Sequence, residues 1–90
     1  MAVLLVTYDL KAPGRDYAPV HDYLKKNFTW CKGLESVWLL DTTMSPGAVR
    51  DRLKELVDGN DKVFVVRITR EWASLNFYCG DWLNKSERTF

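Results

Sequence analysis

The chain has 90 residues and a formal net charge of +1, which bounds it to one domain and gives it no overall attraction to nucleic acid or membrane. Any phosphate contact must come from local placement of Lys and Arg. A mass of 10.5 kDa allows a thin core, with about 64 % of the unfolded surface buried on folding, so association of two copies would add stability.

The opening run Ala2-Val3-Leu4-Leu5-Val6 is aliphatic rather than strictly alternating, as in a central strand covered on at least one face. It leads through Thr7 and Tyr8 into Asp9, so a buried strand delivers a carboxylate to its own end. Lys11-Ala12-Pro13-Gly14-Arg15 reads as a turn, because Pro fixes φ and Gly tolerates positive φ. A helix is predicted over about residues 16–27. Its apolar stripe is Tyr17, Val20, Leu24 and Phe28, with Asp22, Lys25 and Lys26 turned away. Pro19 fits because it lies in the first turn.

Residues 29–41 are expected to be extended, with Gly33 separating a short strand around Trp30 from a longer one over 35–41. β-branched and aromatic residues in Ser36-Val37-Trp38-Leu39-Leu40 favour a strand there. Ser45-Pro46 opens a second helix, an N-cap hydroxyl followed by Pro at the first helical position. Val49, Leu53, Leu56 and Val57 form its core stripe, and Gly59 is placed to close it in the left-handed conformation. Asn60 and Asp61 then turn the chain into residues 62–69, the clearest β segment.

Beyond Thr69 the pattern fits two periods. Ala73, Leu75, Phe77 and Cys79 alternate, whereas Trp72, Leu75, Cys79 and Trp82 have helical spacing. A loop or short edge strand followed by a short helix around residues 81–85 is expected. The order β-α-β-β-α-β predicts a ferredoxin-like α+β sandwich, a four-stranded antiparallel sheet with two helices on one face. Its core spans about residues 1–70 of a single domain, and residues 71–90 form a C-terminal extension.

Asp9 is the leading candidate for chemistry, since it follows a buried strand and precedes a loop bearing Lys11 and Arg15. The plain alternative is an Asp capping the turn before Pro13 and Gly14. No other carboxylate has an obvious claim to stand beside it, because Asp41 ends a different strand and Asp51, Glu55 and Asp58 read as solvated helix residues. A symmetric dimer would supply the partner. Two ionised carboxylates about 4 Å apart repel by about 4 kcal/mol at an effective dielectric of 20, so such a pair needs a cation or a shared proton. Mg2+ suits one or two carboxylates plus a substrate phosphate.

His21 lies beside the first helix's apolar stripe and reads as structural. Arg50, Arg52, Lys54, Lys25 and Lys26 are interleaved with Asp22, Asp51 and Glu55, as on a solvated, salt-bridged face. Trp30, Trp38, Trp72 and Trp82 favour core filling over base stacking, with Trp38 in the core or at a dimer interface. Cys31 and Cys79 lack metal-ligand spacing and read as thiols in a reducing compartment. With an apolar start too short to span a bilayer and no basic segment before it, a cytoplasmic location and no membrane partner are expected.

The strand ending Val6-Thr7-Tyr8-Asp9, the segment Ser36-Val37-Trp38-Leu39 with its acidic end, the Ser-Pro helix and the strand Asp61-Lys62-Val63-Phe64-Val65-Val66 form a familiar pattern. It resembles the small CRISPR-associated adaptation protein, the non-integrase partner in spacer acquisition. That superfamily also holds the virulence-associated protein D ribonucleases and the SinR-like proteins, and the fit is best to the SinR-like branch. The resemblance implies a homodimer in which both copies of Asp9 face a divalent metal, Mg2+ or Mn2+. The expected function is a metal-dependent, nuclease-like homodimer acting on RNA or DNA phosphodiesters, with Tyr8, Lys11, Arg15 and Ser36 as supporting nucleic-acid contacts. A non-catalytic dimeric scaffold, binding protein or nucleic acid through sheet edges and exposed aromatics, is the alternative.

Overall fold

In the computed structural model, which describes residues 2–10 and 18–90, four strands and three helices alternate. They are β1 (Ala2–Asp9), α1 (Ala18–Asn27), β2 (Thr29–Leu34), β3 (Val37–Thr42), α2 (Pro46–Lys54), β4 (Lys62–Ile68) and α3 (Cys79–Asn84). The strands form one antiparallel sheet in the order β2-β3-β1-β4, giving a small α+β architecture with β1 between β3 and β4.

The composition of β1 follows from burial on both faces. Leu4, Val6 and Tyr8 point to one side, where they pack with Trp38 and Leu40 of β3, Val20 and Leu24 of α1, and Val49 and Leu53 of α2. Val3 and Leu5 point to the other, onto a second core built with Cys31, Leu39, Cys79 and Leu83. A strand sandwiched in this way has no solvent face to mark with polar residues, hence the unbroken aliphatic run. Each fully buried Leu contributes about 1.5–3 kcal/mol relative to exposure.

Both helices of the first core behave as the sequence implies. Val20 and Leu24 are buried, with Phe28 packed against them at the helix end. Tyr17, the expected helix start and the turn over residues 11–15 lie outside the described residues. At α2, the Ser45 hydroxyl accepts from the Ala48 amide at 3.1 Å and Pro46 takes the first helical position, the two signals that open a helix cleanly. Its end departs from expectation. Glu55 is the C-cap in right-handed conformation with φ of −73°, its amide donates to the Arg52 carbonyl and the Leu56 amide to that of Leu53; Gly59 lies beyond this end and is not in the left-handed conformation expected of it.

Two further expectations change. Gly33 does not separate strands but lies inside β2, where the register shifts between Lys32 and Leu34. A Cβ there would stand 1.8 Å from Phe77 Cε1, so the glycine admits the aromatic ring against the strand. Ser36 falls in the turn between β2 and β3 rather than in a strand.

Residues 70–78 form no strand, and α3 begins earlier than expected, at Cys79. The extension instead lies across the sheet's second face. Trp72, Phe77, Trp82 and Phe90 pack there against the core of Val3, Leu39 and Leu83. Cys31 and Cys79 are joined in a disulfide that ties β2 to α3, which corrects the reading of them as thiols. The period is ambiguous because the segment folds against a sheet through long-range contacts, so neither strand nor helix spacing governs it.

Polar contacts hold the end of the extension. Arg88 donates from Nη1 to Asp41 Oδ2 at 3.1 Å, and its guanidinium lies 4.0 Å from the centroid of the Trp82 ring. Arg70 donates to the carbonyls of Leu83 and Arg88 and stacks over Phe90. Tyr78 donates its hydroxyl proton to the Lys32 carbonyl.

Candidate functional site

Asp9 occupies the position its strand dictates. Alternation along β1 sends its side chain to the second face, and the β1–β4 ladder places it opposite Lys62. Asp9 is exposed, whereas each described residue before it in the strand is buried or half-buried. Thr7, Asp9, Lys62 and Phe64 line a shallow cleft of about 180 Å³ together with Tyr8 and Val63. Phe64 stands opposite Thr7 and is 60 % exposed, so this end of the second face is left open by the C-terminal extension.

The turn carrying Ser36 lies at the same end of the sheet as Asp9, because the β1–β3 ladder finishes at Thr7 opposite Val37. Asp9 and Ser36 therefore share a sheet end. Lys11 and Arg15 lie outside the described residues.

Tyr8 does not join them. It points to the first core and is 6 % exposed, which takes its ring away from any ligand held at Asp9. Trp38 donates its indole proton to the Tyr8 hydroxyl at 3.2 Å, and that oxygen lies 2.9 Å from His21 Nε2. With Trp38 as donor, the phenol proton is available to His21 in the tautomer that carries its proton on Nδ1. The His21 ring also packs on Trp38, with centroids 5.4 Å apart. This is a polar brace between α1 and the sheet, in keeping with a structural histidine.

The other carboxylates divide as charge and burial require. Asp51 pairs with Arg50 on an exposed helix face at 2.8 Å. Asp41 is buried and committed to Arg88, a pairing with no local sequence signal. Among the described residues, no group of three or more His, Cys, Asp or Glu is placed to hold a metal ion. Asp9 reaches the open sheet end opposite Lys62, with Asp61 next to that lysine in sequence and Glu35 in the turn that carries Ser36.

Burial raises the Tyr23 hydroxyl above its ordinary range; Arg52 pulls it back down and Glu55 pushes it further up. These groups lie on α1 and around α2, on the opposite side of the sheet from Asp9.

A larger concavity lies elsewhere on the second face. An open groove of about 590 Å³ lies between Leu5, Val37 and Leu39 of the sheet and Trp72, Phe77 and Leu83 of the extension. Its walls are mainly apolar, a lining suited to an apolar guest.

No protein-family model matches the chain, and no solved structure matches it. No helix among the described residues is long and apolar enough to cross a membrane.

Proposed function

We infer that this protein is a ferredoxin-like, metal-dependent nuclease-like homodimer acting on RNA or DNA phosphodiesters, with Asp9 of each copy holding a shared Mg2+ or Mn2+. The observation that carries the reading is the exposure of Asp9 at the end of a central, otherwise covered strand, on a sheet end that the extension leaves open. The β-α-β-β-α-β order and the sheet order β2-β3-β1-β4 favour the ferredoxin-like assignment. Phe64, exposed beside Asp9, is an apolar group that a second copy would cover.

A second copy brings a second Asp9 to the site. Two facing carboxylates need a cation or a shared proton to offset their repulsion, and Mg2+ accepts one or two carboxylates while keeping several waters. When bound, the ion polarises a phosphoryl oxygen and lowers the pKa of a coordinated water. The chain's own part is to place Asp9 at the end of β1, where it pairs with Lys62 of β4. Cytoplasmic localisation, expected in part from two thiols in a reducing compartment, loses that part of its support now that the cysteines are joined, because disulfides persist mainly in oxidising compartments.

The apolar concavity favours a second reading, a non-catalytic binding module. Cleavage of labelled RNA and DNA with Mg2+ or Mn2+, measured beside the solution mass, separates the two. The nuclease reading expects a dimer whose cleavage is lost in Asp9→Asn while fold and mass are kept. Equal cleavage by both proteins, or a monomer, overturns the shared-metal site; no cleavage by either leaves the binding module.

A further inference from the structure

The four tryptophans are not equivalent. Trp38 is fully buried, and Trp72 and Trp82 pack on the second core. Trp30 stands on β2, an outer strand of the sheet, and is 37 % exposed. One edge of its environment is explained by packing, since its ring lies 5.2 Å from that of Trp38. The exposed part of the indole lies in a setting that is cationic rather than apolar.

Lys25 Nζ lies 5.5 Å from the Trp30 ring centroid, and Lys32 Nζ lies 5.5 Å from that of Trp38. Trp30 and Lys32 alternate onto the same face of β2, where their ladder partners are Leu40 and Trp38. Lys25 and Lys26 are the basic residues of the last turn of α1. None of these three lysines forms an ion pair among the described residues. Arg50, by contrast, is matched by a neighbouring carboxylate. Lysines outside any ion pair among the described residues, gathered around an exposed aromatic face, are the elements of single-strand recognition: the ring stacks a base and the ammonium groups meet phosphates.

We propose that Trp30, flanked by Lys25 and Lys32, is a stacking and phosphate-binding site for single-stranded nucleic acid. Charge complementarity selects a polyanion, and the exposed indole selects one that carries unstacked bases over an acidic peptide. A duplex fits poorly, because its bases are already stacked on one another. Lys25 rests over the ring through an interaction that is weak at an exposed site, so an arriving base takes the ring face while the ammonium moves to a neighbouring phosphate. The surface is separate from Asp9. Trp30 belongs to the α1 side of the sheet and pairs with Leu40, which lies opposite Leu4, whereas Asp9 lies on the other face at the far end of β1.

The test is fluorescence anisotropy of labelled oligothymidylate and oligouridylate with the whole chain in EDTA, so that binding is read without cleavage. Wild-type protein is expected to bind both, with an equal-length duplex and polyglutamate competing poorly. Trp30→Ala should weaken binding about tenfold, and Trp30→Phe should restore most of it. The double variant Lys25→Gln/Lys32→Gln should reduce the slope of log affinity against log salt by about 1.4, since each phosphate neutralised on a single strand adds about 0.7. Because EDTA withholds the metal on which the Asp9 reading depends, failure of the nuclease reading leaves this result standing. The proposal is overturned if wild type does not bind at low salt, if folded Trp30→Ala binds unchanged, or if polyglutamate displaces the oligonucleotide as well as the oligonucleotide itself. Should Trp30→Ala not fold, an unchanged salt slope in the lysine variant overturns it equally.

Discussion

Arg88 and Asp41, 47 positions apart, form a buried ion pair in which Nη1 donates to Oδ2 at 3.1 Å, their side chains 7 % and 5 % exposed. It joins the end of the extension to β3. The pair is bonded through one hydrogen bond, and Asp41 Oδ1 and Arg88 Nε find no partner among the described residues.

Removing one member should therefore cost far more than removing both. Arg88→Met alone leaves a buried carboxylate without its cation and is expected to destabilise the fold by about 3–5 kcal/mol in urea unfolding. Asp41→Leu combined with Arg88→Met should recover most of that deficit, because apolar side chains avoid the desolvation that the ion pair incurs. A double variant as unstable as the single would show that the pair's value lies in the stacking of the cation on Trp82.

The Cys31–Cys79 link closes a segment 48 residues long and anchors α3 to β2. Reduction, or Cys31→Ser with Cys79→Ser, should lower stability by about 2–4 kcal/mol through the freer unfolded chain. For a domain of this size that is a fall in Tm on the order of 10–30 °C. Thiol titration of the denatured, unreduced protein should find no reactive cysteine. Two reactive thiols before reduction would remove the link from the native state.

Tyr8, placed by the resemblance among the nucleic-acid contacts, has its hydroxyl engaged with Trp38 and His21 inside the core. Tyr8→Phe leaves the buried Trp38 indole N–H without this acceptor and should cost about 1–3 kcal/mol in urea unfolding. Oligonucleotide affinity should stay within about twofold of wild type, since a residue on the core side of β1 touches no ligand. A large drop in affinity with unchanged stability would return Tyr8 to the binding surface.

Much of the fold is legible in the sequence because it is written locally. The Ser45-Pro46 start of α2 needs only a hydroxyl and a fixed φ, and the hydroxyl meets an amide three residues on. The stripe of Val20 and Leu24 needs only helical periodicity, and the position of Asp9 follows from strand alternation. Gly33 stands out from its neighbours, yet its meaning, room for the Phe77 ring, depends on a segment distant in sequence. The end of α2 falls short of Gly59 because the amides of Glu55 and Leu56 turn back to the carbonyls of Arg52 and Leu53 before that glycine is reached.

The candidate site divides in the same way. From sequence alone come a carboxylate at the end of a buried strand and a chain whose charge must act locally, both consequences of residue type and near spacing. Only tertiary structure decides that Tyr8 turns inward, that Cys79 finds Cys31, that Arg88 finds Asp41, and that Trp30 keeps a face toward solvent beside two lysines. Those outcomes depend on which faces of the sheet are covered and by what. That is settled by packing between segments far apart in the chain, for which local periodicity carries no signal.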